Sequence, residues 1–266
     1  RIETTFKIKS ELVRELAPSA TLVFNADDAL VAEAAKTTTA HKFSFGTGDE
    51  AQLKISDPEL SLAGTSALFD FDGTESKRIS LHILGEHQLM NAAAALAVVD
   101  VLGLDKSVAI DAIEQLPLAE RWRMQLLKRD DGVFVINDAY NASPDSMKAA
   151  LQTLAQIGRQ GHRTIAVLGE MAELGDFAAT EHDGMGRLAV RLNIDQVIVV
   201  GKGAKLIHMG ASQEGSWDGE SKYFDSIDEA LTAVRGMLEP GDVVLVKSSK
   251  SANLRHLGDD LMEVSA

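Results

Sequence analysis

No cysteine occurs anywhere in the 266 residues. That absence removes disulfide frameworks, thiolate metal sites and cysteine nucleophiles together. Positive charge is short as well: 26 Lys and Arg stand against 40 Asp and Glu, a formal net charge of −14. Binding a phosphate backbone requires a basic stripe that displaces counterions, so the balance argues against a nucleic-acid partner. An anionic ligand would have to be held by local donors at the rim of one pocket. Long apolar runs are also missing. The longest, Ala92 to Leu104, is interrupted by Asp100 and falls short of a membrane span, so no membrane insertion is expected. The chain opens on Arg1 rather than methionine, in what reads as the entrance to a helix and not a leader. The expectation is therefore a cut at residue 1, with part of a longer parent upstream.

What is present is a globular composition, 45% hydrophobic and 25% charged, on a chain longer than one core usually serves. Phe6 to Leu16 (FKIKSELVREL) has apolar residues at helical spacing and stops before Pro18, which predicts a helix. Thr21 to Phe24 reads as a short buried strand ending on Asn25-Ala26-Asp27-Asp28. Between Lys42 and Ile83, short alternating segments (HKFSFG, QLKIS, SALFDF, RISLHI) sit between Gly, Asp and Ser clusters. They predict a small antiparallel sheet. GEHQLMN then leads into AAAALAVVDVLGL, a packed helix.

Further on, Met124 to Lys128 and Val133 to Asn137 flank Asp130-Asp131-Gly132, turn chemistry for a hairpin. From there strands (RTIAVLG, QVIVVG, KYF, DVVLVKSS) alternate with helical segments, the pattern of a parallel sheet covered by helices. The domain boundary is placed near Glu120, giving units 1–120 and 121–266. No internal repeat or low-complexity segment is visible.

Ligands of open parallel sheets bind beyond the carboxyl ends of the strands. Three such ends carry polar, glycine-bearing or basic loops: NDAYNASPDSM from Asn137, GEMAELG from Gly169 and KSSKS from Lys247. Asp138 or Ser143 capping a helix, and Asn141 closing a turn, would account for the first loop alone. All three together argue for a site.

The ordered set IKSEL, NADD, GEHQLMN, RWRM, NDAYNASPDSM, VLGEMAELG with a following His182, and VKSSKS resembles the central and C-terminal domains of the Mur ligases. The member with the most similar motifs is the one that adds D-alanyl-D-alanine. The resemblance implies an α/β protein: a truncated Mur-ligase central domain over 1–120, then a Rossmann-like C-terminal domain with a mostly parallel sheet over 121–266. It implies an ATP- and Mg2+-dependent, ADP-forming amide ligase of peptidoglycan precursor synthesis in the cytoplasm. Its small-molecule substrates would be D-Ala-D-Ala and a UDP-N-acetylmuramoyl tripeptide, joined through an acyl phosphate. Other Mur-type ligases, adding diaminopimelate or lysine, and a non-catalytic nucleotide-binding module are the competing readings.

By the same resemblance Lys9 is a catalytic lysine that, once carbamylated, holds Mg2+. The residues alone read it as a solvated helix lysine like Lys7. His87 and Asn91 match a helix-start motif in which the asparagine recognises adenine, with Gln88 in place of the usual first asparagine; a capping or core histidine is the other reading for His87. Arg123 matches an arginine that reaches the nucleotide phosphates, although Trp122 stands where glycine is common and pairing with a surface acid is the alternative. Asp138 is expected to accept hydrogen bonds from the ribose, so that Asn91 and Asp138 clasp an adenosine. Tyr140 and Asn141 would line the nucleotide, with plain packing open for Tyr140. Lys247 is expected to face substrate, in a loop where Ser248 and Lys250 replace a glycine and an arginine. Glu170, Glu173 and His182 suit acid-base work or D-Ala-D-Ala recognition, but helix capping and salt bridges account for them equally well, and they stay outside the catalytic set. A glycine-rich phosphate loop, G-x-x-x-x-G-K-[ST], is absent; Gly201-Lys202-Gly203 lacks its spacing and hydroxyl. The chain by itself is therefore expected not to turn over.

Overall fold

The computed structural model describes residues 2–117, 120–215 and 219–263. The chain divides into two compact units, one of Arg1–Glu59, Ala63–His82 and Glu86–Pro117, the other of Leu60–Leu62, Ile83–Gly85 and Leu118–Ala266. No helix among the described residues is long and apolar enough to cross a membrane.

The first unit begins with α1 (Ile2–Arg14), then β1 (Thr21–Asn25), α2 (Ala29–Ala35) and β2 (His41–Gly46). Asp28 caps α2, its carboxylate accepting hydrogen bonds from the Leu30 and Val31 N–H groups at 2.9 and 3.0 Å. The strands β3 (Leu53–Ser61), β4 (Gly64–Phe71) and β5 (Glu75–Leu81) complete a sheet ordered β1-β2-β3-β4-β5.

The expected antiparallel sheet is corrected in one respect. β4 and β5 do pair antiparallel, but β2 runs parallel to both β1 and β3. A six-residue connection joins two parallel strands here because the pairing involves only Phe45 with Leu53 and Gly46 with Lys54. β3 starts level with the end of β2 and runs onward, so the chain never has to cross back. Period-two alternation reports which face is buried and is silent on strand direction.

That face is covered by α3 (Glu86–Val101) and, at β5, by α4 (Lys106–Glu114), whose Ile110 enters the same core. Leu89, Ala92, Ala93, Leu96 and Ala97 of α3 join Ala67, Phe69, Phe71 and Ile79 in one core. The alanines let the helix axis approach the sheet, and the phenylalanines fill the space left; burying each such ring contributes about 2–3 kcal/mol.

The second unit contains β6 (Gln125–Lys128), β7 (Phe134–Asn137), α5 (Pro144–Gly158), β8 (Thr164–Leu168), α6 (Ala178–Arg191), β9 (Gln196–Val200), α7 (Lys205–Glu214), β10 (Ser221–Phe224), α8 (Ile227–Met237), β11 (Val243–Lys247) and α9 (Leu254–Asp260). Its sheet is ordered β10-β9-β8-β11-β7-β6, all parallel except β6, which pairs with β7 as the predicted hairpin. β8 and β11 are buried at every residue, as strands covered on both faces must be. Ser143 opens α5 with a capping box to Ser146, followed by Pro144 at a position where no N–H is needed.

Candidate functional site

Strand order decides where the second unit can bind something. β11 lies between β7 and β8, with Val246 beside both Asn137 and Val167 and Lys247 beside Leu168. The loops after β7, β8 and β11 therefore leave the sheet side by side, at the point where the winding reverses. The three loops singled out in the sequence are one place.

Lys247 ties them together, and its orientation differs from the expectation that it faces substrate. Its side chain is only 2% exposed. The ammonium donates to Asp138 Oδ2 at 2.5 Å, to the Asn141 carbonyl at 3.1 Å and to the Asp138 carbonyl at 3.5 Å, which occupies its three N–H groups. A single buried cation thus neutralises the acid at the end of β7 and fixes the turn behind it. Asp138 Oδ1 accepts a further bond from the Met124 N–H at 3.0 Å. A carboxylate has about four acceptor positions, so it retains capacity on its outer side, where its side chain is 14% exposed.

The β8 loop is joined to the β11 loop by backbone and hydroxyl bonds. Gly169 N–H donates to the Lys247 carbonyl, Ser249 N–H to the Glu170 carbonyl, and Ala172 N–H to Ser249 Oγ at 2.8 Å. Gly169 has to be glycine: a Cβ there would lie 2.7 Å from both Leu254 and Ser248 side chains. His182, buried on α6, accepts from the Met171 N–H through Nε2 at 2.9 Å. Its other nitrogen lies 2.6 Å from the Ala178 carbonyl, which places the ring proton on Nδ1. The ring so fastens the β8 loop to the first turn of α6. Ser249 and His182 are site-building residues that sequence reasoning left unassigned; only His182's place in the motif set hinted at it.

Arg123 and Tyr140 come together. The guanidinium carbon of Arg123 lies 4.2 Å from the centre of the Tyr140 ring, and Lys250 Nζ lies 5.6 Å from the same centre. Arg123 Nε also donates to Glu120 at 2.5 Å, so the surface-acid pairing weighed above is present alongside the ring contact. The segment carrying Arg123 is held in an unusual shape, with left-handed backbone at Trp122 (φ 62°) and Met124 (φ 46°). Asp259 of α9 anchors it, accepting from the Trp122 indole N–H at 3.1 Å, from Arg121 at 2.8 Å and from the buried Asn137 amide at 3.2 Å. Neither Trp122 nor Asp259 was singled out for this role.

Beside these loops lies a pocket of about 660 Å³ lined by Asn141, Ser143, Glu173, Leu174, Ser249, Lys250 and Ser251 among others. Asn141 turns its side-chain oxygen onto the Ala142 N–H at 2.9 Å, stiffening the turn before α5. Glu173 sits in left-handed backbone, φ 64°. The lining therefore carries one acid, Glu173, and one ammonium, Lys250, among amide and hydroxyl groups.

In the first unit, His87 and Asn91 are exposed on the first turns of α3. Gln88 stands between them: its Oε1 accepts from Asn91 Nδ2 at 3.0 Å and its Nε2 lies 3.2 Å from His87 Nε2. The glutamine that replaces the usual asparagine thus braces the adenine-reading candidate. Lys9 is exposed on α1, at a groove of about 380 Å³ whose other walls are mainly apolar, including Phe6, Val13, Leu22, Phe24 and Val31. No group of three or more His, Asp or Glu able to hold a metal occurs among the described residues. Mg2+ prefers six oxygen ligands, and the surroundings of Lys9 in this chain do not supply them.

The sequence matches two family descriptions, the Mur ligase middle domain over residues 1–99 and the Mur ligase, glutamate ligase domain, over residues 122–250. The chain belongs to the Mur ligase family. It is 40% identical over 280 residues to the UDP-N-acetylmuramoyl-tripeptide--D-alanyl-D-alanine ligase of Mycobacterium tuberculosis (strain ATCC 25618 / H37Rv), covering 98% of this chain and 54% of that protein. The protein of the same name from Bacillus subtilis (strain 168) is 34% identical, with 96% and 54% covered. Among solved structures, MurF from Acinetobacter baumannii superposes with a TM-score of 0.82 at 28% identity, over 96% of this chain and 54% of that one. MurF from Thermotoga maritima, at 22% identity and a TM-score of 0.81 over 98% and 57%, shares the fold. The α/β architecture expected from the motifs is thus the one found, and the chain spans about half the length of the curated relatives it matches.

Proposed function

We propose that the chain carries the middle and C-terminal domains, residues 1–120 and 121–266, of an ATP-dependent, ADP-forming ligase of peptidoglycan precursor synthesis. The reaction is the addition of D-alanyl-D-alanine to a UDP-N-acetylmuramoyl tripeptide in the cytoplasm. The observation that carries this reading is identity of 40% across nearly the whole chain to a relative bearing that name, with the sequence motifs falling on adjoining strand ends.

A carboxylate resists attack by an amine, and phosphorylating it first provides a leaving group. The residues at hand serve that chemistry chiefly by holding and orienting. Asp138, pinned from inside by Lys247 and Met124, presents its free acceptor positions to ribose hydroxyls, and Asn91 offers an amide to the adenine edge. Arg123 supplies positive charge for phosphate oxygens, while Tyr140 and Asn141 shape the wall. Lys247 contributes as a buried pin. The Glu173 carboxylate at the pocket suits the ammonium of a short zwitterionic peptide. A carbamate on Lys9 would offer Mg2+ one oxygen-donor group, and the other described residues around it do not complete the site.

The test is ADP release by a protein containing this chain together with the parts its relatives have in addition. Release should require both D-Ala-D-Ala and the UDP-linked tripeptide, and equal release with diaminopimelate would overturn the substrate assignment. In nucleotide titrations, Asp138→Ala and Asn91→Ala should each weaken ATP binding. Unchanged affinity in both would remove the adenosine site proposed for them.

A further inference from the structure

Two cations reach one aromatic ring from positions 127 residues apart. Arg123 belongs to the strained segment before β6, and Lys250 to the 3-10 turn (Lys250–Ala252) after β11. Both sit within cation–π range of Tyr140, at 4.2 and 5.6 Å from its centre. Like charges on separate loops repel and would otherwise drift apart in water. The negative face of a tyrosine ring attracts each of them and adds no ionic charge that would cancel them. A carboxylate at position 140 would gather the same two cations and neutralise them, as Asp138 neutralises Lys247.

The rest of the mouth shows why these two matter. Lys247, the obvious cation in the loop, is buried and consumed by Asp138 and Asn141. Lys250 is exposed and has no ion-pair partner among the described residues. Arg123 donates through its Nε to one exposed acid, Glu120, and pairs with no other acid among the described residues. Arg255, which donates to the Lys250 carbonyl at 2.8 Å and lies 5.5 Å from the Trp122 ring, adds a third cation here, so the pair that Tyr140 gathers supplies part of the positive charge these loops offer an incoming anion.

We propose that Tyr140 is a positioning residue, which holds Arg123 and Lys250 as a two-cation grip for one phosphorylated anion carrying two or more charges. This deepens the nucleotide-dependent reading above and rests on it for the identity of the natural ligand. The ring's hydroxyl plays no part in the grip; its face does.

The probe is inorganic pyrophosphate, titrated calorimetrically into this chain at low and moderate salt. The wild-type chain should bind it, more weakly as salt rises. Tyr140→Phe keeps the face and should stay within about twofold, whereas Tyr140→Leu should lose roughly fivefold or more. In an Arg123→Gln/Lys250→Gln background, adding Tyr140→Leu should change nothing further, because the residue acts through those two. The side-chain protons of Arg123 and Lys250 should show upfield ring-current shifts in the wild type and in Tyr140→Phe, and lose them in Tyr140→Leu. No pyrophosphate binding by the wild type, or an equal loss from Tyr140→Leu in both backgrounds, overturns the proposal, as does absence of the ring-current shifts. Pyrophosphate binding that follows this pattern, with ATP bound no more tightly than pyrophosphate, would support the grip and count against the nucleotide reading alone.

Discussion

Replacing Lys247 with methionine isolates the buried pin of the second unit. Methionine has nearly the volume and flexibility of the lysine stem, so packing is preserved while the charge is removed. What remains is the Asp138 carboxylate, held at 14% exposure with its Oδ2 partner gone, and the Asp138 and Asn141 carbonyls without their donor. Deleting one member of a buried ion pair costs about 3–5 kcal/mol. Partial solvent access to Asp138 places this case near the lower end, at about 3 kcal/mol. For a unit of ~150 residues that corresponds to a melting shift of roughly 10 °C. Both tryptophans, Trp122 and Trp217, belong to the sequence of the second unit, so fluorescence during urea unfolding reports on it. The midpoint should fall at an unchanged slope. Lys247→Met combined with Asp138→Leu removes the orphaned charge and should recover at least half of the loss. A single-variant cost under about 1 kcal/mol, or a double variant as unstable as the sum of its parts, would refute the view that Lys247 is a charge-neutralising pin.

Two more outcomes follow from the same physics. Gly186 of α6 lies against α7 so closely that a Cβ would sit 1.9 Å from the Ile207 carbonyl oxygen and 2.7 Å from the Ala211 nitrogen. Backbone cannot yield as a side chain can, so Gly186→Ala should cost about 1–3 kcal/mol or more in thermal unfolding, whereas Gly184→Ala, with nothing within 4 Å, should be neutral or stabilising; equal effects would contradict the close crossing. Asp242, buried at the start of β11, has its carboxyl pushed above the usual range by burial, with the Glu239 N–H bond and Arg163 pulling the other way. Ionising it costs the folded state, so the stability it contributes is fully present below the unfolded value near 3.8 and is lost as pH rises through the higher folded value. Asp242→Asn should therefore raise the melting temperature at pH 7, by a margin that vanishes near pH 3; a margin independent of pH would show that ionisation is not the cause.

Local chemistry was enough to read most of this chain. Ser143 announces a helix start because its side chain meets an N–H group three residues on, and Asp131-Gly132 marks a hairpin because few residue pairs turn so tightly, whereas the helix that Asp28 caps was not read. Strand-helix alternation after Phe134 implied a parallel sheet, and motif order implied the family and the loops of the candidate site. These signals act over a few residues, so they survive in a linear string. Strand direction in the first unit did not, since alternating burial is the same for parallel and antiparallel partners. Nor did the role of Lys247: a lysine after a strand reads as solvent-facing until Asp138 and Asn141, more than 100 residues away in sequence, close around it. Trp122 with Asp259, and Arg123 with Lys250 across Tyr140, were equally hidden. Residue identity determined which groups were available for binding and charge. Only the packing of β11 between β7 and β8 decided which of them would be neutralised inside and which would remain at the surface, because pairing depends on distance in space and a sequence records only distance along the chain.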